Sequence, residues 1–147
     1  MFKRILVATD GTTQSNHAVK AAAALAKGFG ATVTLFHAIR TYRSPYYPDD
    51  AGFAWPSEKQ YLKESSANAD TVLTRASALA EKQGLRAATT HVYSDSAADA
   101  IIAAATKAKA DLIVMASHGR KGLDKLLLGS ETQKVLARTK LPVLVVR

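Results

Sequence analysis

The chain has 147 residues, 48% of them hydrophobic and 22% charged, which is the make-up of a globular protein that buries a core without a metal or a crosslink. It contains no cysteine, so disulfides, thiolate metal ligands and cysteine nucleophiles are excluded, and the composition fits a reducing compartment. The formal net charge is +8, but the lysines and arginines are scattered, with a denser set from Arg120 to Lys140 and no basic arm. A solvated basic surface explains them more simply than a nucleic-acid interface, and any nucleic-acid binding is expected to be non-specific and salt-sensitive.

Phe2 to Thr9 reads as a buried strand, apolar almost throughout after Arg4. Its longest apolar run, Ile5 to Ala8, is far too short for a signal peptide's core or a membrane span, so a soluble cytoplasmic protein is expected. Thr12 and Thr13 offer helix caps. Ala18, Ala21, Ala22, Leu25 and Ala26 then recur at helical spacing, and Gly28 and Gly30 close the helix. Ala31 to Ile39 is rich in β-branched residues and reads as a second strand.

Thr41 to Pro56 breaks this rhythm. It carries Pro45, Pro48 and Pro56 among Tyr42, Tyr46, Tyr47, Phe53 and Trp55, and no periodicity survives. Two roles stay open for such a loop: a lid or partner-binding segment, or an insertion that packs its aromatics on its own domain. Ser57 to Gln83 is an amphipathic helix ended by Gly84, and Arg86 to Tyr93 a strand. Ser96 to Lys109 is an alanine-rich helix with Ser94 or Ser96 as cap. Asp111 to Ala116 is a strand apolar on both faces. A glycine-punctuated loop leads to a helix from Ser130 to Thr139 and a last strand from Pro142 to Val146.

The resulting alternation of strands and helices predicts an α/β fold, with a mostly parallel sheet covered on both faces in one domain spanning 1–147. Ligands of such sheets sit beyond the carboxyl ends of the strands. Polar and glycine residues crowd those ends here: Ala8 to Thr12 after the first strand, Ala116 to Gly122 after the fourth, and Gly129-Ser130 at the start of the last helix. Glycine lets a backbone approach a ligand closely, and a helix start offers free amides and a positive dipole end to phosphate. Arg120, Lys121 and Lys125 add charge, and Asp10 is placed to accept from ribose hydroxyls. The same residues are equally at home as plain turns, with Ser130 a simple helix cap.

Neither GxGxxG nor GxxxxGK[ST] occurs. His17, His37, His91 and His118 form no metal-ligand pattern, and no GxSxG elbow accompanies the adjacent Ser117 and His118. No catalytic or metal-ligating set is assigned. A binding protein is favoured over a dedicated enzyme.

The segments ILVATDGTTQS, VTLFHAI, ADLIVMASHG and LLLGSETQKVLARTKLPVLVV, which span nearly the whole chain, resemble the universal stress protein family. Its nucleotide-binding branch carries G-x2-G-x9-G-[ST]. Here Ala116, Gly119, Gly129 and Ser130 stand at that spacing, with alanine in place of the first glycine. The resemblance implies a doubly wound five-stranded sheet of order 3-2-1-4-5 and a site for adenosine triphosphate, with magnesium as a possible companion. Ala8, Thr9, Asp10 and Ala38 would line the adenosine, and Met115 and Ala116 would lie beneath the sugar. Gly119, Arg120, Gly129, Ser130, Glu131 and Thr132 would hold the phosphates. It also implies a homodimer through Val143 to Val146, an apolar edge open to pairing, and at most slow hydrolysis. The methyl of Ala116 is expected to weaken binding if it meets the ligand, and Glu131 to add negative charge beside the phosphates.

Overall fold

The computed structural model describes residues 1–44, 55–118 and 128–147. The elements are β1 (Arg4–Ala8), α1 (Thr13–Phe29), β2 (Thr32–Ile39), α2 (Glu58–Glu81), β3 (Ala88–Tyr93), α3 (Ala97–Lys107), β4 (Leu112–Ala116), α4 (Ser130–Arg138) and β5 (Val143–Val146). Local chemistry sets their ends. Thr12 caps α1 by accepting the Ser15 N–H at 3.2 Å, and Gly30, at φ 62°, takes the left-handed conformation that ends it. Gly28 lies inside the helix. Ser57 caps α2 and Ser96 caps α3 in the same way. Of the aromatic loop, residues 45–54 lie outside the described residues; its flanks, 41–44 and 55–57, have no regular structure.

The five strands are all parallel in the order β3-β2-β1-β4-β5. Alternation along each strand divides the core in two. Ile5, Val7, Val33, Leu35, Leu112, Val114 and Ala116 face α1 and α2, where Ala18, Ala22, Ala23, Ala26, Leu73 and Ala76 meet them. Leu6, Phe36, Ile113 and Met115 face α3 and α4, against Ala98, Ile101, Ala105 and Val135. Small residues on α1 and α3 let those helices lie close on the sheet.

The register holds the feature that matters for function. β1 and β4 pair from Ile5↔Leu112 to Val7↔Val114 and no further. Beyond that point Ala8 pairs with Phe36 of β2, while Met115 and Ala116 pair with Val145 and Val146 of β5. The two central strands part at their carboxyl ends, and a crevice opens between them at the point where the strand order reverses.

β3 differs from the other strands. Most of its residues are exposed, because β3 is an edge strand of the sheet.

Gly11, just beyond β1, has φ +80°, and a Cβ there would come within 3.0 Å of Val72 Cγ2 on α2. Gly11→Ala should therefore lower stability by roughly 1–2 kcal/mol from backbone strain alone. A urea melt measures this, and an unchanged midpoint would contradict it.

Candidate functional site

The turn after β1 is built from short polar side chains. The Thr9 N–H donates to Phe36 O at 2.9 Å, and His37 Nδ1 donates to Thr9 O at 2.8 Å, so the ends of β1 and β2 are tied together. Because the acceptor is a carbonyl, His37 carries a proton on Nδ1. Asp10 Oδ1 accepts from the Thr12 N–H at 3.0 Å and the Thr12 hydroxyl at 2.6 Å. Asp10 thus braces the turn as well as standing at the crevice.

Ala8, Ala38 and Met115 belong to the core cluster on the α3/α4 face, near the carboxyl ends of β1, β2 and β4. They give that side of the crevice a small apolar floor. Ala116 belongs to the opposite cluster and packs with α1 and Val146. Its methyl therefore lies on the face of the sheet opposite to Ala8, Ala38 and Met115.

The start of α4 forms the other wall. Gly129 is the N-cap and supplies no side-chain hydrogen bond, so Ser130 is the first helical residue and does not cap the helix. The Gly129 N–H donates to Ser117 O at 2.7 Å, and the Thr132 hydroxyl donates to Ala116 O at 3.0 Å. Among the described residues nothing accepts from the amides of Ser130, Glu131 or Thr132. Ser130 is exposed. A helix start with free amides beside a crevice suits an anion. Gly119 and Arg120 lie outside the described residues.

Glu131 is turned elsewhere. Its Oε2 accepts the Ala98 N–H at 2.9 Å in the first turn of α3, and its Oε1 accepts from Lys134 Nζ at 2.8 Å. Burial alone would raise its pKa. The bonds from Lys134 and Ala98, with the charges of Lys134 and Arg138, outweigh that and hold it below its ordinary value of 4.5. Arg138 meets Asp99 at 2.7 Å, a second clasp between α4 and α3. Ser117 and His118 do meet, Oγ to Nδ1 at 2.9 Å. Sequence adjacency carried no signal of this, since neighbouring residues of a strand point to opposite faces, and the contact exists because Ser117 lies just past the end of β4.

The fold and site define a doubly wound α/β protein with an anion-suited crevice at its switch point. The family model described as Universal stress protein family matches residues 1–147, and the chain belongs to that family. It is 35% identical over 147 residues to Universal stress protein MJ0531 of Methanocaldococcus jannaschii, covering all of this chain and 83% of that protein. The solved structure of the protein MJ0577 superposes with a TM-score of 0.80 at 27% identity, over 99% of this chain and 96% of that one. A universal stress protein in complex with cAMP superposes with a TM-score of 0.73 at 26% identity, over 99% of this chain and 97% of that one.

The lowered pKa of Glu131 fixes a pH dependence. A depressed folded-state pKa contributes stability that is present above the unfolded value and lost as pH falls through the folded value. The stability gap between wild type and Glu131→Gln should therefore be constant near neutrality and shrink as pH drops below about 4.5, its ordinary value. Denaturation at a series of pH values measures the gap, and a gap that widens in acid would refute it.

Proposed function

We propose that this universal stress protein binds an adenine nucleotide, adenosine triphosphate, in the crevice between β1 and β4, and acts in the cytoplasm as a signalling or protective homodimer with at most slow hydrolysis. The observation that carries this is the start of α4. Its amides at Ser130, Glu131 and Thr132 have no acceptor among the described residues, and it is bonded to the end of β4 where the central strands part. Ala8, Ala38 and Met115 set apolar side chains near the strand ends, a surface suited to a flat base and sugar, and the cAMP complex of a relative supports an adenine ligand. Thr9 and Asp10 shape the rim, and Gly119 and Arg120 are proposed to complete the phosphate contacts.

Among the described residues no group of three His, Asp or Glu side chains is placed to hold a metal. An accompanying magnesium ion would therefore rest chiefly on phosphate oxygens and water. Ser117, although bonded to an imidazole, is only 2% exposed and cannot reach a substrate as a nucleophile. Among the described residues no helix is long and apolar enough to cross a membrane.

Calorimetry with adenosine triphosphate and magnesium tests the site. Gly129→Val should abolish binding, because a branched side chain would stand where the phosphates approach. Ser130→Ala should weaken binding by roughly 0.5–1.5 kcal/mol, the worth of one hydrogen bond. Ala116→Gly should leave affinity unchanged, since the methyl faces α1, and lower stability by roughly 1–2 kcal/mol through lost burial and added chain freedom. Absence of binding at millimolar nucleotide in wild type and Ala116→Gly alike would leave a protein acting through protein contacts alone.

The dimer is proposed to form through β5, an edge strand whose Leu144 is 36% exposed and whose outer backbone is unpaired in the sheet order. Leu144→Lys should move the sedimenting species towards monomer. A wild type that sediments as a monomer at micromolar concentration would rule out this interface.

A further inference from the structure

Lysines and arginines that lie scattered in the sequence are gathered by the fold. In a parallel sheet joined by helical crossovers, the amino ends of the strands and the carboxyl ends of the helices share one end of the molecule, opposite the crevice. Lys3 and Arg4 stand there at the start of β1, Lys27 in the last turn of α1, Arg86 just before β3, and Lys107 and Lys109 at the end of α3. All are exposed. Among the described residues, the acidic side chains at this level are Glu81, which ends α2, and Asp111, whose carboxylate is already engaged by the Lys3 and Arg4 N–H groups. Lys27 and Lys107 also complement the negative ends of their helices. Lys3, Arg4, Arg86 and Lys109 lie outside helices, so that reason does not reach them.

Lys109 stands out among these cations. Helices α1, α2 and α3 end alike: the Ala31 N–H donates to Ala26 O, the Leu85 N–H to Ala80 O and the Ala110 N–H to Ala105 O, each just after a residue in the left-handed conformation. That residue is Gly30 at φ 62° and Gly84 at φ 76°, but Lys109 at φ 50°. A lysine is strained where glycine is not. The Lys109 carbonyl also accepts from Arg4 Nε at 2.5 Å, which brings a second cation to the same place. Strain and the crowding of like charges both cost stability, so the charge at 109 is kept at a loss to folding. Apolar side chains stand at the same end: Phe29, 37% exposed, meets Phe2 edge to face with ring centroids 6.1 Å apart, and Met1 is 91% exposed.

We propose that this end of the molecule docks on an anionic lipid surface, with Lys3, Arg4, Arg86 and Lys109 against the headgroups and Phe29 and Met1 entering the interface. Charge complementarity selects an anionic partner. The exposed apolar side chains at the same end favour a lipid surface over the backbone of a nucleic acid duplex, which offers them no apolar layer. The crevice lies at the opposite end and stays open to water, so the docking is independent of the nucleotide reading.

The full chain should sediment with phosphatidylcholine vesicles that contain phosphatidylserine, be released as salt is raised, and stay in solution with phosphatidylcholine alone. Lys109→Gly should weaken this binding about fivefold, the worth of one cation near the surface, without lowering the urea midpoint, because glycine suits the left-handed position. Lys63→Gln removes the same charge from the exposed face of α2 near its start, and should leave vesicle binding unchanged. Equal losses in the two variants would show net charge at work rather than this end of the molecule, and would overturn the proposal. Tryptophan emission reads the orientation. The single tryptophan, Trp55, precedes α2 at the crevice end, so vesicles should leave its emission unchanged, whereas Phe29→Trp should add emission that shifts to the blue. A shift at Trp55 in wild type, or binding to a single-stranded oligonucleotide with none to phosphatidylserine vesicles, would overturn it.

Discussion

β1 and β4 share a ladder for three register pairs, Ile5↔Leu112 to Val7↔Val114, and then each turns to its outer neighbour. That parting is what the rest of the molecule is arranged around. Helices α1 and α4 follow the two strands onto opposite faces of the sheet, so neither fills the gap between them. The carbonyls of Ala116 and Ser117, which have no β1 partner beyond the split, are taken by the Thr132 hydroxyl and the Gly129 N–H. One geometric event thus opens the crevice and also holds the start of α4 at its edge.

The opposite end of the sheet is closed. The Asp111 carboxylate accepts the Lys3 N–H at 2.8 Å and the Arg4 N–H at 3.0 Å, joining the amino ends of β4 and β1. Burial would raise its pKa, but those bonds and the Arg4 charge hold it low, so it stays ionised near neutrality. On the helical layer Glu131 and Arg138 fasten α4 to α3. With the amino ends joined and α4 clasped, the unsatisfied donors are left at the carboxyl end. The Glu131 carboxylate, in the first turn of α4, is spent on α3 and on Lys134.

Much of this was legible in the sequence, and the reasons are particular. The order of strands and helices followed from apolar runs such as Leu112–Ala116 and caps such as Thr12, Ser57 and Ser96, where local chemistry and tertiary packing agree. Element ends drifted by a residue or two, as at α2, where the last turn tightens through Gln83 and Gly84. Gly129 and Ser130 stand at the start of α4, and Ala8, Ala38 and Met115 near strand ends, on the elements to which the family resemblance carried them. Side-chain direction was not legible: whether Glu131 faces a ligand or α3, and whether Ser117 meets His118, depends on contacts between elements that no spacing rule encodes.

Ala116 shows what the departure from the family motif amounts to. A glycine is required where φ is positive or where a Cβ would strike something. Among the described residues the only non-glycine with positive φ is Lys109, so the backbone at 116 is one that any residue adopts. Ala116 is 8% exposed and packs on the α1 side with Val146, while Ala8, Ala38 and Met115 lie on the other face. What position 116 turns towards α4 is its carbonyl, which Thr132 holds whatever the side chain. The methyl adds burial to the core on the α1 side. With alanine at 116, the carbonyl that Thr132 holds and the amides without acceptors at the start of α4 are both kept.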